Sequence, residues 1–258
     1  MIINKVYHLA DLHIRNLQRH KEYKLVFNKF LKQVKQDNIE DSLIYIAGDI
    51  AHAKTEMSPE LVHEISWFLT ECAKLRETVI ITGNHDCNLN NSHRLDVLTP
   101  IIENLGNDRI HYLRDTGVYP IHNLTFVVYS ILDNKENWPK GDTVDGENTI
   151  CLFHGPVNKA QTDIGYTVSS NSFQVDMFDG FDMAMLGDIH KRQTFGEGYE
   201  HIAYAGSMIQ QNHGELLENH GYLLWDIPTR TFTEHHIHND YGFLTVDVVN
   251  GKIPQWVY

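Results

Sequence analysis

The chain has 258 residues, of which 42% are hydrophobic and 21% charged, and its formal net charge is −13. This composition is typical of a globular protein and predicts one compact domain over residues 1–258. The acidic balance disfavours a polycation that coats nucleic acid non-specifically, although bound divalent metals would invert the field around a site. The three scattered cysteines exclude a disulfide framework, and no apolar run approaches the ~20 residues of a membrane span, so we expect a cytoplasmic protein in a reducing compartment.

The first half of the chain alternates apolar, strand-like runs with amphipathic segments. Strands are predicted at residues 6–10, 43–47 and 78–82. Helices are predicted over residues 17–36, from Ser58-Pro59 to 75, and from near Ser92 to 105. In the second helix Val62 and Trp67 lie off the apolar stripe, so either this helix is buried on two sides or its second face meets another chain.

The second half is richer in short strands and loops. Strands are predicted at residues 124–129, 150–153 and 183–186, and surface loops at 134–148 and 162–174. Residues 202–204, 221–225 and 231–232 are predicted to form a second, mainly antiparallel sheet. The apolar ending at 256–258 leads us to expect a truncated chain, with a native end packed on the sheet as the alternative.

Five of the strand-like runs end in side chains that bind hard or borderline metals. These side chains are Asp11 and His13; Asp49 and His52; Asn84, His85 and Asp86; His154; and Asp188 and His190. Singly, each could be a capped polar turn. The carboxyl ends of parallel strands share one edge of a sheet, however, so we expect the five sets to meet in one site.

Carboxylates, imidazoles and one amide, without a thiolate, suit Mn²⁺, Fe²⁺ or Mg²⁺, with zinc also possible. The set is too large for one ion. Two ions ~3.5–4 Å apart can clamp a phosphate and lower the pKa of a shared water, which predicts hydrolysis of a phosphate ester. In this interpretation Asn84 is a ligand through its carbonyl oxygen, His85 a donor to the transition state and Asp86 an orienter of His85.

The ordered motifs Asp11-x-His13, Gly48-Asp49-x-x-His52, Gly83-Asn84-His85-Asp86, His154-Gly155 and Gly187-x-x-His190 resemble the calcineurin-like metallophosphoesterase superfamily. Residues 187–193 and 204–211, with Gly214-Glu215 and Gly221-Tyr222, look like the double-strand-break repair nucleases of the SbcD type. The resemblance covers essentially the whole chain. It implies an α/β four-layer sandwich in which helices flank two mixed β-sheets.

The same resemblance implies a role for each motif residue. The first metal would be held by Asp11, His13, Asp49 and His190. The second would be held by Asp49, Asn84, His154 and Asp188, with Asp49 bridging. His85 would assist the leaving oxygen, with Asp86 holding its ring, and His52 would contact the phosphate.

The roles of Asp188, Lys191 and Arg192 have more than one interpretation. Many relatives have histidine at the position of Asp188, so direct ligation, ligation through water and no ligation by Asp188 all stay open. An added carboxylate would favour manganese or magnesium over zinc. Lys191 and Arg192 either contact a DNA backbone or offset nearby acids.

Proteins of the type that this chain resembles are manganese-dependent single-strand endonucleases and 3′-to-5′ exonucleases. They form homodimers through helices placed like residues 58–75 and 92–105, and bind an SMC-like ABC ATPase, SbcC in bacteria, through a tail that follows a DNA-capping domain. We expect two divalent ions, Mn²⁺ or Mg²⁺, and DNA as substrate, and we expect the capping and ATPase-binding regions to lie outside these 258 residues. The alternatives are a phosphatase or cyclic-nucleotide phosphodiesterase, and a non-catalytic scaffold with a structural metal site.

Overall fold

Two six-stranded β-sheets, packed face to face, form the centre of the computed structural model, which describes residues 1–169 and 171–255. The strands are, in chain order, β1 (Lys5–Leu9), β2 (Ser42–Ile46), β3 (Thr78–Ile80), β4 (Ile110–Tyr112), β5 (Gly117–Ile121), β6 (Leu124–Tyr129), β7 (Thr149–His154), β8 (Met183–Gly187), β9 (Gln193–Thr194), β10 (Ile202–Tyr204), β11 (Gly221–Asp226) and β12 (Thr231–His236). The helices are α1 (His20–Asp37), α2 (Pro59–Leu75) and α3 (Thr99–Leu105). The predicted ending at 256–258 lies outside the described residues.

Both sheets are mixed, with a parallel centre. The first has the order β12-β11-β1-β2-β3-β4, in which β1 to β4 are parallel, and the second has the order β5-β6-β7-β8-β10-β9, in which β6, β7, β8 and β10 are parallel. Two mixed sheets flanked by helices confirm the predicted fold class. The parallel centres matter for function because they bring several strand ends to one edge.

The prediction that residues 202–204, 221–225 and 231–232 form a separate antiparallel sheet is wrong. β11 pairs antiparallel with β1 and β12 with β11, so both extend the first sheet. β10 instead joins the second sheet, parallel to β8. Alternation of side chains shows which face of a strand is buried but does not show which strand lies beside it.

Apolar side chains form three layers of core. One layer lies between α1, α2 and the first sheet, and includes Phe27 and Phe68, whose rings stack with centroids 4.1 Å apart. The second fills the space between the two sheets, where Val6 and Trp225 of the first face Met183 of the second. The third covers the outer face of the second sheet, beneath loops and short 3₁₀ helices. Cys72, Cys87 and Cys151 are buried free thiols.

Helix α2 begins where its sequence predicts. The Ser58 hydroxyl accepts the Leu61 N–H at 3.2 Å, and Pro59 occupies the first turn. Val62 is 36% exposed, whereas Trp67 packs partly against the core with the Lys24 ammonium 3.1 Å above its ring. Among the described residues, no helix combines the length and apolarity needed to cross a bilayer.

Helix α3 begins later than predicted, at Thr99 rather than near Ser92. The Asp96 carboxylate accepts the N–H groups of Leu98 and Thr99, which fixes a turn at that point, and Pro100 follows in the first helical turn. Leu95, assigned to the predicted helix, is 73% exposed. The turn therefore replaces the first two turns of the predicted helix.

Candidate metal centre

The five predicted sets of polar residues meet at the edge shared by the two sheets. Asp11, Asp49 and Asn84 follow β1, β2 and β3, while His154 ends β7 and Asp188 follows β8. The sheets are joined here by hydrogen bonds: His154 Nδ1–H donates to the Ala47 carbonyl oxygen at 2.6 Å, and the Asp188 N–H donates to the Asp11 carboxylate at 3.1 Å. Strand ends from both sheets therefore form one site.

Three of the residues assigned to a first metal form a tight cluster. The ligand atoms of Asp11, His13 and His190 lie within 4.8 Å of one another. The Nε2 atoms of His13 and His190 are 3.0 Å apart, and His13 Nε2 is 3.5 Å from Asp49 Oδ2. The structure thus brings the four predicted first-metal residues together.

The residues assigned to a second metal surround His154 Nε2. This atom is 3.0 Å from Asn84 Oδ1, 3.4 Å from Asp49 Oδ1 and 3.8 Å from Asp188 Oδ1. Asp49 presents one carboxylate oxygen to each cluster, which is the position that a bridging ligand must take. Asp188 lies at the edge of the second cluster.

The donor atoms fit divalent cations. Because His154 Nδ1–H donates to the Ala47 carbonyl oxygen, Nε2 is the ring nitrogen that faces the Asn84 carbonyl oxygen, at 3.0 Å. Burial disfavours the charged ring, but the Asp49 carboxylate raises the pKa of His154 well above its usual value, so in the metal-free protein Nε2–H donates to Asn84. After loss of this proton, the nitrogen and the oxygen would be two ligand atoms for one cation. Oxygen and imidazole nitrogen donors without sulfur suit manganese, magnesium or iron.

Several candidate ligands have a backbone conformation that L-residues rarely adopt. The φ angles of Asp11, His13, Asp49 and Asp188 are 52°, 45°, 52° and 98°. Left-handed conformations of non-glycine residues cost free energy, and they are enriched at active sites and ligand clamps. Close packing adds a second constraint, because a Cβ at Gly83 would lie 2.1 Å from Asp49 Oδ1. Only glycine fits there.

Burial and neighbouring charges shift the pKa values of the cluster. Burial raises the pKa of Asp11 to about 7. Burial would also raise the pKa of Asp49, but the positive charge of His154 and hydrogen bonds from His154 and the His85 N–H hold it below its usual value. Burial disfavours the charged form of His190, yet its hydrogen bond to Glu215 and the charge of Asp11 raise its pKa to about 9.

Glu215 supports the site, a role that no pattern in the sequence indicates. His190 Nδ1–H donates to Glu215 Oε1 at 2.7 Å, which directs Nε2 of the same ring towards His13. Glu215 is itself held by the Gln211 N–H and the Asn212 amide, each at 2.7 Å. It lies in a loop 25 residues beyond His190, and no spacing rule connects the two. A carboxylate behind a metal-binding histidine fixes its tautomer and orientation.

His85 and His52 form one unit beside the first cluster. His85 Nδ1–H donates to the His52 carbonyl oxygen at 2.6 Å, and the two rings stack with centroids 5.4 Å apart. Burial and the charge of Arg15 lower the pKa of His52 to about 4, so this ring is neutral near pH 7. The His85 ring contacts His13 edge to face at 4.7 Å.

Asp86 has a different task from the one predicted. Its buried carboxylate accepts the N–H groups of Gly83 at 3.0 Å and Ala51 at 2.9 Å, and thereby ties the loop after β3 to the loop after β2. The His52 carbonyl oxygen, rather than Asp86, orients the His85 ring.

Lys191 and Arg192 differ in their surroundings. The Arg192 side chain is largely buried. Its guanidinium donates to the Ala205 carbonyl oxygen at 3.2 Å and pairs with Glu234 at 3.3 Å. Arg192 thus offsets a nearby acid, which is the second of its two predicted roles. Lys191 is partly exposed and lines a cavity beside His190.

Among the cavities that the described residues line, two have Asp188 in their walls. One, of about 300 Å³, borders His190 of the first cluster and Glu215, which holds it. The other, of about 540 Å³, borders Asn84 and His154 of the second. The candidate metal centre is therefore accessible from both of its ligand sets.

Comparison with known proteins shows the family of this chain. The profile of the calcineurin-like phosphoesterase family matches residues 4–192, and the chain belongs to that family. The chain is 41% identical over 262 residues to the uncharacterized protein R555 of Acanthamoeba polyphaga mimivirus. The match covers 97% of this chain and 19% of that protein, so the chain spans about a fifth of its relative's length. The crystal structure of TT1561 from Thermus thermophilus superposes on this chain with a TM-score of 0.54 and 10% sequence identity. The superposition covers 92% of this chain and all of the other, so the two share a fold. Family membership implies a metal-dependent phosphoester hydrolase.

Metal binding should release protons. At pH 7 the metal-free protein holds Asp11 about half protonated and His190 almost fully protonated, because their pKa values are about 7 and about 9. His154 is protonated as well, because the Asp49 carboxylate raises its pKa well above the usual value despite burial. Metals bind the deprotonated forms, so Mn²⁺ at both positions should displace about two to three protons, and fewer as the pH approaches 9. Isothermal titration calorimetry in buffers of different ionisation enthalpy measures this number. An enthalpy at pH 7 that does not depend on the buffer would contradict the expectation.

Glu215→Ala should weaken metal binding, because His190 loses the carboxylate that fixes its ring. The expected loss of Mn²⁺ affinity is about 10- to 100-fold, typical of a partner behind a metal-binding histidine. Calorimetric titration of the metal-free variant gives the affinity, and Glu218→Ala, at an exposed position nearby, is the matched control. Equal affinities for the two variants would show that Glu215 only shapes its loop.

Proposed function

We propose that this chain is a metal-dependent DNA nuclease that hydrolyses phosphodiester bonds with two divalent ions, Mn²⁺ or Mg²⁺. The observation that carries the proposal is the pair of cavities beside Asp188, one bordering each ligand cluster. A phosphodiester has a substituent on two sides of its phosphorus, and both need space. A monoester needs space on one side only.

The ions would be held by Asp11, His13, Asp49 and His190 at one position and by Asp49, Asn84, His154 and Asp188 at the other. When bound, they supply charge that clamps the phosphate and lowers the pKa of a water molecule. Asp49 has a left-handed backbone conformation, and its carboxylate lies between the two clusters. The Asp49 carboxylate could therefore bind both ions without a change of the backbone.

The remaining chemistry belongs to the two histidines beside the clusters. Because His85 Nδ1–H is bound to the His52 carbonyl oxygen, Nε2 is the nitrogen that donates a proton to the leaving oxygen. His52 is neutral near pH 7 and contacts a phosphate oxygen through an N–H rather than through charge. Within the described part of the chain, His52 Nδ1 is buried and lacks a hydrogen-bond partner, so the N–H that reaches a phosphate oxygen would be the one on Nε2.

The resemblance to repair nuclease sequences adds support from residues 204–211. This segment packs behind the site: Gln211 Nε2 approaches the Leu12 carbonyl oxygen, and its backbone N–H holds Glu215. The stretch that resembles the SbcD type is thus in contact with the candidate metal centre.

A phosphatase or cyclic-nucleotide phosphodiesterase is the second candidate. The net charge of −13 and the pairing of Arg192 with Glu234 favour it, because both reduce attraction to a DNA backbone. A labelled oligonucleotide with Mn²⁺, assayed beside p-nitrophenyl thymidine monophosphate and p-nitrophenyl phosphate, separates the candidates. We expect cleavage of the oligonucleotide and the diester; hydrolysis of the monoester alone would favour a phosphatase.

His85→Ala should keep both metals and lose turnover. Removal of a general acid lowers the rate about 10²- to 10⁴-fold, while the ligand clusters stay intact. Oligonucleotide cleavage gives the rate, and metal analysis of the purified variant gives the occupancy. His93→Ala, at an exposed position in the same connection between β3 and α3, is the control. Undiminished cleavage by His85→Ala would remove the role assigned to this residue.

A homodimer through α2 and α3 is part of the same proposal. A groove between these helices is lined by Val62, Leu95, Pro100 and Leu105, and Leu95 is 73% exposed. An exposed apolar groove of this kind is typical of an association surface. Binding of an SMC-like ATPase stays a prediction.

Sedimentation equilibrium tests the dimer. We expect the unmodified chain to dimerise and Leu95→Glu to be monomeric, because a charge would have to be buried in the contact. Leu17→Glu places the same charge at another exposed leucine and should leave the dimer intact. A monomeric unmodified chain, or a dimer that persists in Leu95→Glu, would contradict this interface.

A further inference from the structure

The larger of the two cavities has two unlike walls. One wall consists of the candidate ligands Asn84, His154 and Asp188. The other is apolar and half aromatic, and is made by Leu89, Ile131, Trp138, Phe153, Pro156 and Phe173. Neither the family's metal chemistry nor the candidate mechanism uses the apolar wall.

The aromatic wall is held rigidly. The Trp138 ring lies nearly parallel to those of Tyr129, at 4.7 Å and 13°, and Phe173, at 6.0 Å and 22°. Phe153 meets Trp138 edge to face at 5.4 Å. The Trp138 indole N–H donates to the Ser130 carbonyl oxygen at 3.2 Å, which fixes the ring in its plane. A ligand therefore meets an apolar surface that needs little ordering on binding.

Charge at the rim of the cavity determines what kind of group it accepts. Asp133, Lys135 and Glu136 line the rim, with one more negative than positive charge. A second phosphate would be repelled there, whereas an uncharged planar group would lose little solvation and gain contact with the aromatic rings. The cavity volume of about 540 Å³ leaves room for such a group beside the phosphate.

We propose that this cavity binds the nucleobase of the nucleotide whose phosphate lies at the metal centre. The inference rests on the proposed nuclease function, and it adds a subsite that selects nucleotides over other phosphodiesters. Stacking on aromatic side chains tolerates every base, since each base has a π-face. The subsite thus requires a base without reading its identity.

Two diesters with the same leaving group test this selection. p-Nitrophenyl thymidine monophosphate carries a base, whereas methyl p-nitrophenyl phosphate does not. We expect kcat/KM with Mn²⁺ to favour the thymidine ester by about 5- to 150-fold, the range that corresponds to one stacked base. Trp138→Leu should reduce this preference at least about threefold, with the methyl ester hydrolysed as before.

Companion variants guard against a folding defect in Trp138→Leu. Leu89 lines the same wall and is 50% exposed, so Leu89→Ala should fold normally and also lower the preference. Leu17→Ala, at a 66% exposed leucine outside both cavities, should not change it. A preference lost in Tyr166→Ala but kept in Trp138→Leu and Leu89→Ala would place the base in the smaller cavity and overturn the assignment.

A binding measurement separates this inference from the proposed function. In protein labelled with ¹⁵N at the tryptophan indoles, the Trp138 signal is assigned by its loss in Trp138→Leu. We expect thymidine 5′-monophosphate to shift that signal and ribose 5-phosphate, which lacks the base, to leave it unchanged.

Equal kcat/KM for the two diesters without a shift would contradict the subsite and leave the nuclease function unaffected. A shift without hydrolysis of either diester would remove the nuclease function and support the subsite. Equal shifts by both ligands would overturn the proposal.

Discussion

Two aspartates, Asp11 and Asp49, are buried at the edge shared by the sheets, with 0% and 2% of their surface exposed. Burying like charges together is unfavourable unless positive charge compensates them. In the metal-free protein, protonated His154 and His190 supply that charge. Despite burial, Asp49 raises the pKa of His154, and the hydrogen bond to Glu215 together with the charge of Asp11 raises that of His190. Divalent cations would replace those protons. The polar contacts of the site therefore serve either to hold the carboxylates in place or to balance their charge.

The site is also the joint between the two sheets. His154 of the second sheet donates to Ala47 at the end of β2, and the Asp188 N–H donates to Asp11 after β1. Asp86 ties the loops after β2 and β3 together, within the first sheet. Because these contacts cross between strands that are far apart in the chain, binding of cations and docking of the sheets are coupled. Metal binding should accordingly contribute to the stability of the whole fold.

Family membership defines the reaction class, and the surroundings of the cluster must define the substrate. The ligand clusters lie on loops anchored by parallel strands, so the positions of these loops can vary little. The cavities on either side are built from loops outside the sheets, including the connection from β6 to β7 that carries Trp138. Such loops vary without disturbing the core. Substrate choice is therefore separable from metal binding in this architecture.

The sequence by itself determined nine of the twelve strands that the structure describes, the start of α2 and the list of candidate ligands, because periodicity, capping residues and residue chemistry are local properties. It did not predict the strands β4, β5 and β9. Asp11, Asn84 and His154 could each be placed at a strand end, but the parallel-sheet rule accounts only for the approach of Asp11 and Asn84, because His154 ends a strand of the other sheet. Tertiary structure decided the rest. Only the folded chain shows that β11 and β12 extend the first sheet, that Glu215 holds His190, and that Asp86 braces two loops while the His52 carbonyl oxygen orients His85. These contacts join segments that are distant in the sequence, and no sequence pattern indicates that such segments meet. The left-handed backbone angles of Asp11 and Asp49 are likewise imposed by packing rather than by local preference.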